Sequence, residues 1–187
     1  MNLNINPLNQ TKLFGFQNEF NELKKSFDNN NLPSKILLYG KKGIGKNTFA
    51  FHLINYALSK NEDENYDFLE KKISSNNKSF KLMSKQAHPN CHIVDLKENK
   101  LNIDISQIRE MFNFINKSSF NNKVRFVLIN SAENLNLNSA NALLKALEDK
   151  SENICFILVH DSNKRTIETV KSRCLLYNLF LSNDNSK

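Results

Sequence analysis

Three of the chain's four glycines are Gly40, Gly43 and Gly45, and Lys46 follows the last of them. Glycines at this spacing let successive backbone N–H groups turn inward with no Cβ in the way, and the lysine adds a mobile positive charge. Such a set suits an anion, a phosphate group in particular. Gly40-Lys41-Lys42-Gly43-Ile44-Gly45-Lys46 follows the pattern G-x-x-x-x-G-K-[ST], but the hydroxyl that should hold Mg²⁺ is replaced by Asn47, with Thr48 one place late. The residues expected to meet a nucleotide are Gly40, Gly43, Ile44, Gly45, Lys46, Asn47 and Thr48. The metal half of this site is impaired, so ATP or ADP is expected to bind weakly at most, and Mg²⁺ is not expected.

The elements around the loop favour a phosphate site over an ordinary glycine turn. Ile36-Leu37-Leu38-Tyr39 precedes it as a short apolar strand, and Phe49, Ala50, Phe51, Leu53 and Ile54 follow it at helical spacing. Upstream, Phe20, Leu23 and Phe27 recur at three and four through 17–27, which predicts an amphipathic helix. Downstream, strands are expected at 91–96, 124–129 and 154–159, and helices at 105–117, 137–149 and 166–171. Near-continuous apolar strands are those covered on both faces. The alternation therefore predicts an α/β fold, a three-layer P-loop NTPase domain with a mainly parallel sheet, over 1–179. Ligands of such sheets collect at the carboxyl ends of the strands, where the glycine loop, Asn130 and His160 fall. The stretch 60–87 is rich in charge and Asn and reads as an exposed insertion, and 180–187 as a polar tail.

The 187 residues, 40% of them hydrophobic, suffice for one such domain. No apolar run approaches the roughly 20 residues of a membrane span, and the first residues lack a basic region followed by an apolar one, so a cytoplasmic location is expected. Cys91, Cys155 and Cys174 form no CxxC pair, which argues against a disulfide framework or a cysteine zinc site. His88, Cys91 and His92 have the spacing of metal ligands but no evident fourth partner. A net charge of +7 permits polyanion binding, yet the basic residues are scattered and no block of five occurs.

A P-loop ATPase also needs acids at the end of a second strand, to position the metal and the attacking water. Here that strand ends Ile129-Asn130-Ser131-Ala132-Glu133. Asn130 keeps a hydrogen-bonding shape without charge, Ser131 is no base, and Glu133 is expected past the turn.

With these residues in place, the chain resembles the AAA+ clamp-loader subunits of bacterial DNA polymerase III, most closely the delta-prime subunit. The resemblance rests on 40–48, on His88-Pro89-Asn90, on the block from Asn136 to Glu148 containing Ser-Ala-Asn-Ala-Leu-Leu-Lys-Ala-Leu-Glu, and on Ser172-Arg173-Cys174. It implies a subunit beside ATP-hydrolysing neighbours in a five-membered ring that places a sliding clamp on primed DNA. Its partners would be the gamma/tau and delta subunits, the clamp and, through the complex, primer–template DNA. It also implies that Arg173 is an arginine finger acting in trans; considered alone, Arg173 could equally pair with a carboxylate at a helix end. The family's four-cysteine zinc module has no counterpart in 60–87, so zinc is not expected, and the lid and collar domains are expected to be largely or wholly absent. The resulting expectation is an interaction subunit that does not itself hydrolyse ATP. The competing readings are an active gamma/tau-like ATPase or other P-loop NTPase, and a nucleic-acid-binding module, the last lacking the interleaved aromatic and basic residues of a stacking platform.

Overall fold

The computed structural model describes residues 6–117, 124–149, 153–165 and 168–181. Its strands are β1 (Lys35–Gly40), β2 (Cys91–Val94), β3 (Arg125–Ile129), β4 (Ile154–Asp161) and β5 (Leu175–Asn178). All pair in parallel, in the order β2-β3-β4-β1-β5. Helices α1 (Gln17–Asp28), α2 (Lys46–Ser59), α3 (Lys78–Ser84), α4 (Ile105–Ile115), α5 (Leu137–Glu148) and α6 (Glu168–Lys171) connect them. The expected start of the last helix, at Thr166 and Ile167, lies outside the described residues, as does 182–187 of the tail.

Side-chain alternation along the strands divides the core in two. Leu38, Leu128, Ile157 and Val159 face α1, α2 and α3, packing on Phe20, Phe49, Phe51 and Met83. Leu37, Ile129, Phe156 and Leu158 face α4, α5 and α6, packing on Ile108, Met111, Leu143 and Val170. Every residue of β3 and β4 is buried, as the apolar runs predicted. The fold is the three-layer α/β sandwich expected of a P-loop NTPase. No helix among the described residues is long and apolar enough to cross a membrane.

Helix ends are held by specific groups. The Asp104 backbone N–H donates to Gln107 Oε1 at 3.1 Å at the start of α4. At its end the buried Arg125 guanidinium donates to the carbonyls of Phe114, Ile115 and Lys117. A guanidinium there satisfies carbonyls that lack intrahelical partners and complements the helix dipole.

The stretch 60–87 is less exposed than the insertion read from its composition. Tyr66, Ile73 and Met83 are buried in the core, and α3 packs on α2. A polar pin fastens the segment: the fully buried His52 of α2 lies 3.0 Å from both the Tyr66 hydroxyl and the Gln10 carbonyl. Because a carbonyl only accepts, Nε2 carries the proton and Nδ1 accepts from Tyr66. Asn55 Nδ2 adds a bond to Asn77 Oδ1 at 2.9 Å, and Asn77 caps α3.

Burial pushes the His52 imidazole down to about 4, against a smaller opposing effect of its bond to the Gln10 carbonyl. A base with a lowered folded pKa binds its proton more readily when unfolded. Stability therefore falls as pH drops from 6.5 towards 4. The expected loss is up to about 3 kcal/mol, read from urea midpoints across that window. A His52→Gln variant should start less stable and lack this slope.

Candidate functional site

Chain direction brings four segments to the carboxyl edge of the sheet. Strand β1 ends at Gly40, and a loop leads to Gly45, which caps α2 with φ 97°, while Gly43 has φ 85°. Both are left-handed conformations that side-chain-bearing residues adopt at a cost. At Gly40 the constraint is close approach: a Cβ there would lie 2.5 Å from the Leu179 carbonyl oxygen and 2.9 Å from Ile44 Cδ1. Ile44 thus packs the loop onto its own strand, while Gly43, Gly45, Lys46, Asn47 and Thr48 line a cavity of about 600 Å³. Across it stand Leu96, Ser131, Glu133, Asn134 and Asp161.

Lys46 is 6% exposed, and its ammonium donates to the Gly40 carbonyl at 2.8 Å and the Lys41 carbonyl at 2.7 Å. Burial lowers its pKa, and the negative charges of Asp161 and Glu133 oppose part of that shift. The lysine is thus turned onto its own loop, within reach of the cavity it lines.

The second strand end departs from an ATPase in geometry as well as in charge. Asn130 is buried; its amide donates to Asp95 Oδ2 at 3.0 Å, and its Oδ1 has no partner. Ser131 follows at φ 54° and ψ 51°, a left-handed turn for a residue other than glycine, and a 3₁₀ turn (Ala132–Asn134) begins. That turn brings Glu133 back into the cleft, where its Oε2 accepts from the Asp161 backbone N–H at 3.1 Å. Glu133 was expected past the turn, and it is; the reversal at Ser131 nonetheless returns its carboxylate to the cavity.

Asp161 was missed in the sequence because β4 runs two residues past its apolar stretch. The Gly40–Asp161 register pair sets it beside the loop, with the Gly40 carbonyl accepting from Ser162 N–H at 2.9 Å. His160 falls on the other face of the sheet, buried and stacked on Tyr39 with ring centroids 5.5 Å apart and both ring nitrogens unpartnered. It shares the strand end with the phosphate loop but not the cavity.

His88, Cys91 and His92 do not converge. His88 Nε2 lies 3.2 Å from Ser79 Oγ, Cys91 is buried with its thiol pushed up to about 12 by desolvation, and His92 stacks on Phe114. Among the described residues, no group of three or more His, Cys, Asp or Glu is arranged to hold a metal ion.

Arg173 lies at the opposite edge of the sheet. It precedes β5, whose Leu175 pairs with Ile36 at the start of β1, so the length of β1 separates it from the glycine loop, about 13 Å for four residues of strand. Its Nε and Nη2 donate to Glu148 Oε1 at 3.1 and 2.6 Å, and Nη1 donates to the Thr169 carbonyl at 2.8 Å. Glu148 is the last residue of α5, so the pairing with a helix-end carboxylate that the sequence left open is present.

A parallel five-stranded sheet with a glycine loop between β1 and α2 defines the class: a P-loop NTPase domain of AAA+ type. The chain belongs to the family described as DNA polymerase III, delta subunit, which matches residues 16–182, and within it the chain is delta-prime-like. It is 30% identical over 139 residues to DNA polymerase III subunit delta' of Pseudomonas aeruginosa, covering 74% of this chain and 40% of that protein. The Bacillus subtilis subunit of the same name is 27% identical over 154 residues, covering 81% and 44%. Among solved structures, a DNA polymerase III gamma subunit-related protein of Thermotoga maritima shares the fold with a TM-score of 0.56 at 19% identity, covering 89% of this chain and 47% of that one. The chain spans less than half the length of the curated relatives it matches.

The ties made by Lys46 are testable without a ligand. Lys46→Met removes both bonds and the buried cation whose charge Asp161 and Glu133 favour, so unfolding free energy should fall by about 1–3 kcal/mol in urea titration. Unchanged or increased stability would show that the ties contribute nothing.

Proposed function

We propose that this chain is a non-hydrolysing, delta-prime-like subunit of the DNA polymerase III clamp loader, which supplies Arg173 to the ATP site of a neighbouring subunit during clamp loading. The observation that carries this reading is the division of parts between the two edges of the sheet. At the carboxyl edge, a glycine cradle stands beside Asn47 and Asn130, which lack the hydroxyl and the charge that hold Mg²⁺ in a P-loop ATPase. At the amino edge, Arg173 presents a half-buried guanidinium too far from its own loop to serve it. A guanidinium there offers charge and a planar fork to phosphoryl groups of another chain.

In this reading ATP or ADP binds weakly, its phosphates on the N–H groups of 43–48 and on Lys46, with Mg²⁺ and zinc playing no part. The partners are the gamma/tau and delta subunits, the sliding clamp and, through the complex, primer–template DNA, in the cytoplasm. Glu133 and Asp161 favour a second reading, an active P-loop ATPase, because two carboxylates lining the cavity could hold a divalent ion.

Steady-state turnover on the purified chain separates the two readings: the first predicts negligible hydrolysis, whereas ordinary turnover abolished by Glu133→Gln supports the second. In the assembled loader, Arg173→Ala should leave this chain folded. It should slow the neighbour's site by on the order of 10³–10⁵-fold, diluted in the total by the other sites. Arg173→Lys should not restore the rate, since an ammonium lacks the fork. Normal ATP turnover and clamp loading by the Ala variant would overturn the assignment.

A further inference from the structure

Two of the four sequence blocks on which the resemblance rests, the one ending at Glu148 and Ser172-Arg173-Cys174, meet where Arg173 pairs with Glu148. Arg173 Nε and Nη2 share Glu148 Oε1, and Nη1 is held by the Thr169 carbonyl of α6, with Ser172 Oγ at 3.4 Å. A guanidinium carries five N–H groups. These bonds commit the Nε–Nη2 side edge to Glu148 and the two N–H groups of Nη1 to the Thr169 carbonyl and Ser172 Oγ, which leaves the outward N–H of Nη2. The side chain is 34% exposed, so the guanidinium is not closed off by its own chain.

Glu148 stands in an unfavourable place for a carboxylate. It closes α5, where the helix dipole disfavours negative charge, and its side chain is 56% exposed. A cation from another element offsets that repulsion. An unpaired arginine would spread over many rotamers, whereas one held at two fixed points, a carboxylate on α5 and a carbonyl on α6, presents its remaining N–H in one direction.

We propose that Glu148 is the positioning residue for Arg173, holding the guanidinium by its side edge so that the outward N–H of Nη2 faces the phosphoryl group bound by a neighbouring subunit. This rests on Arg173 acting in trans. Glu148 itself touches no substrate.

The test uses the full chain assembled with its ATPase partners, clamp and primed DNA, with kcat and KM for ATP measured separately. Glu148→Ala should lower kcat roughly tenfold, within the ~10²-fold that misplacement of a catalytic group can cost, with KM and the melting curve of the free chain nearly unchanged. Glu148→Gln keeps an oxygen that accepts both N–H groups and should recover most of the rate. The double variant Glu148→Ala/Arg173→Ala should be no slower than Arg173→Ala alone, because both act through one group. Additive losses, or a Glu148→Ala variant as fast as the parent beside a slow Arg173→Ala, would overturn the positioning role while leaving the trans assignment standing. A faster Glu148→Ala variant would show that Glu148 restrains the arginine and would overturn it as well. If Arg173→Ala is itself at parental rate, the trans assignment fails and the inference falls with it. Should the Ala variant not assemble, Glu148→Gln and Glu148→Asp decide: the shorter carboxylate of Asp should be slower than Gln, and the reverse order would overturn the proposal.

Discussion

Burying the Lys46 ammonium is the constraint on which the carboxyl edge of the sheet depends. A cation that is 6% exposed needs oxygen atoms around it, and it finds them in the Gly40 and Lys41 carbonyls. Those carbonyls are available because the backbone leaves β1 through glycines that bring the strand end against the Leu179 carbonyl and turn the loop back over itself. The same Gly40 oxygen accepts from Ser162 N–H, which fixes the end of β4 and brings Asp161 beside the loop. Glu133, returned by the left-handed Ser131, closes the set through the Asp161 amide. One buried charge thus couples the ends of β1, β3 and β4.

The same geometry sets the balance of function. Phosphates approaching the loop would exchange with the lysine's own carbonyls and face two carboxylates, while Asn130 spends its amide on Asp95 rather than on a metal's hydration shell. On the proposed reading each feature weakens nucleotide binding, and none disturbs the sheet. The fold keeps its P-loop architecture because β1, α2 and their glycines are part of the core, with Phe49, Ala50, Phe51 and Leu53 almost fully buried.

The sheet and its layers were legible in the sequence, since apolar strands buried on both faces are hard to mistake, and the glycine loop was fixed by residue type and spacing. What escaped the sequence was polar and long-range. Nothing local shows that His52 on α2 pins Tyr66 and so anchors 60–87, because a histidine between apolar residues has the same neighbours whether or not a hydroxyl meets it. Asp161 lies two residues beyond the apolar run that marked β4, and polar residues at a strand end carry no periodicity to extend it. Glu133 returned to the cleft through a backbone reversal at a serine, a conformation that residue type does not announce. The Arg173–Glu148 contact joins residues 25 apart in sequence, brought together only when α5 and α6 share one face of the sheet.

The central claim is that this chain acts in ATP turnover through its amino-edge arginine and not through its glycine loop. The most direct measurement compares Lys46→Ala, made in this chain alone, with the parent in a reconstituted clamp loader, after confirming equal assembly. Reading DNA-stimulated ATP turnover per complex, the account predicts the same rate for both. A loss of turnover as large as that caused by the same substitution in an ATP-hydrolysing subunit would contradict it, and would place a working nucleotide site in this chain.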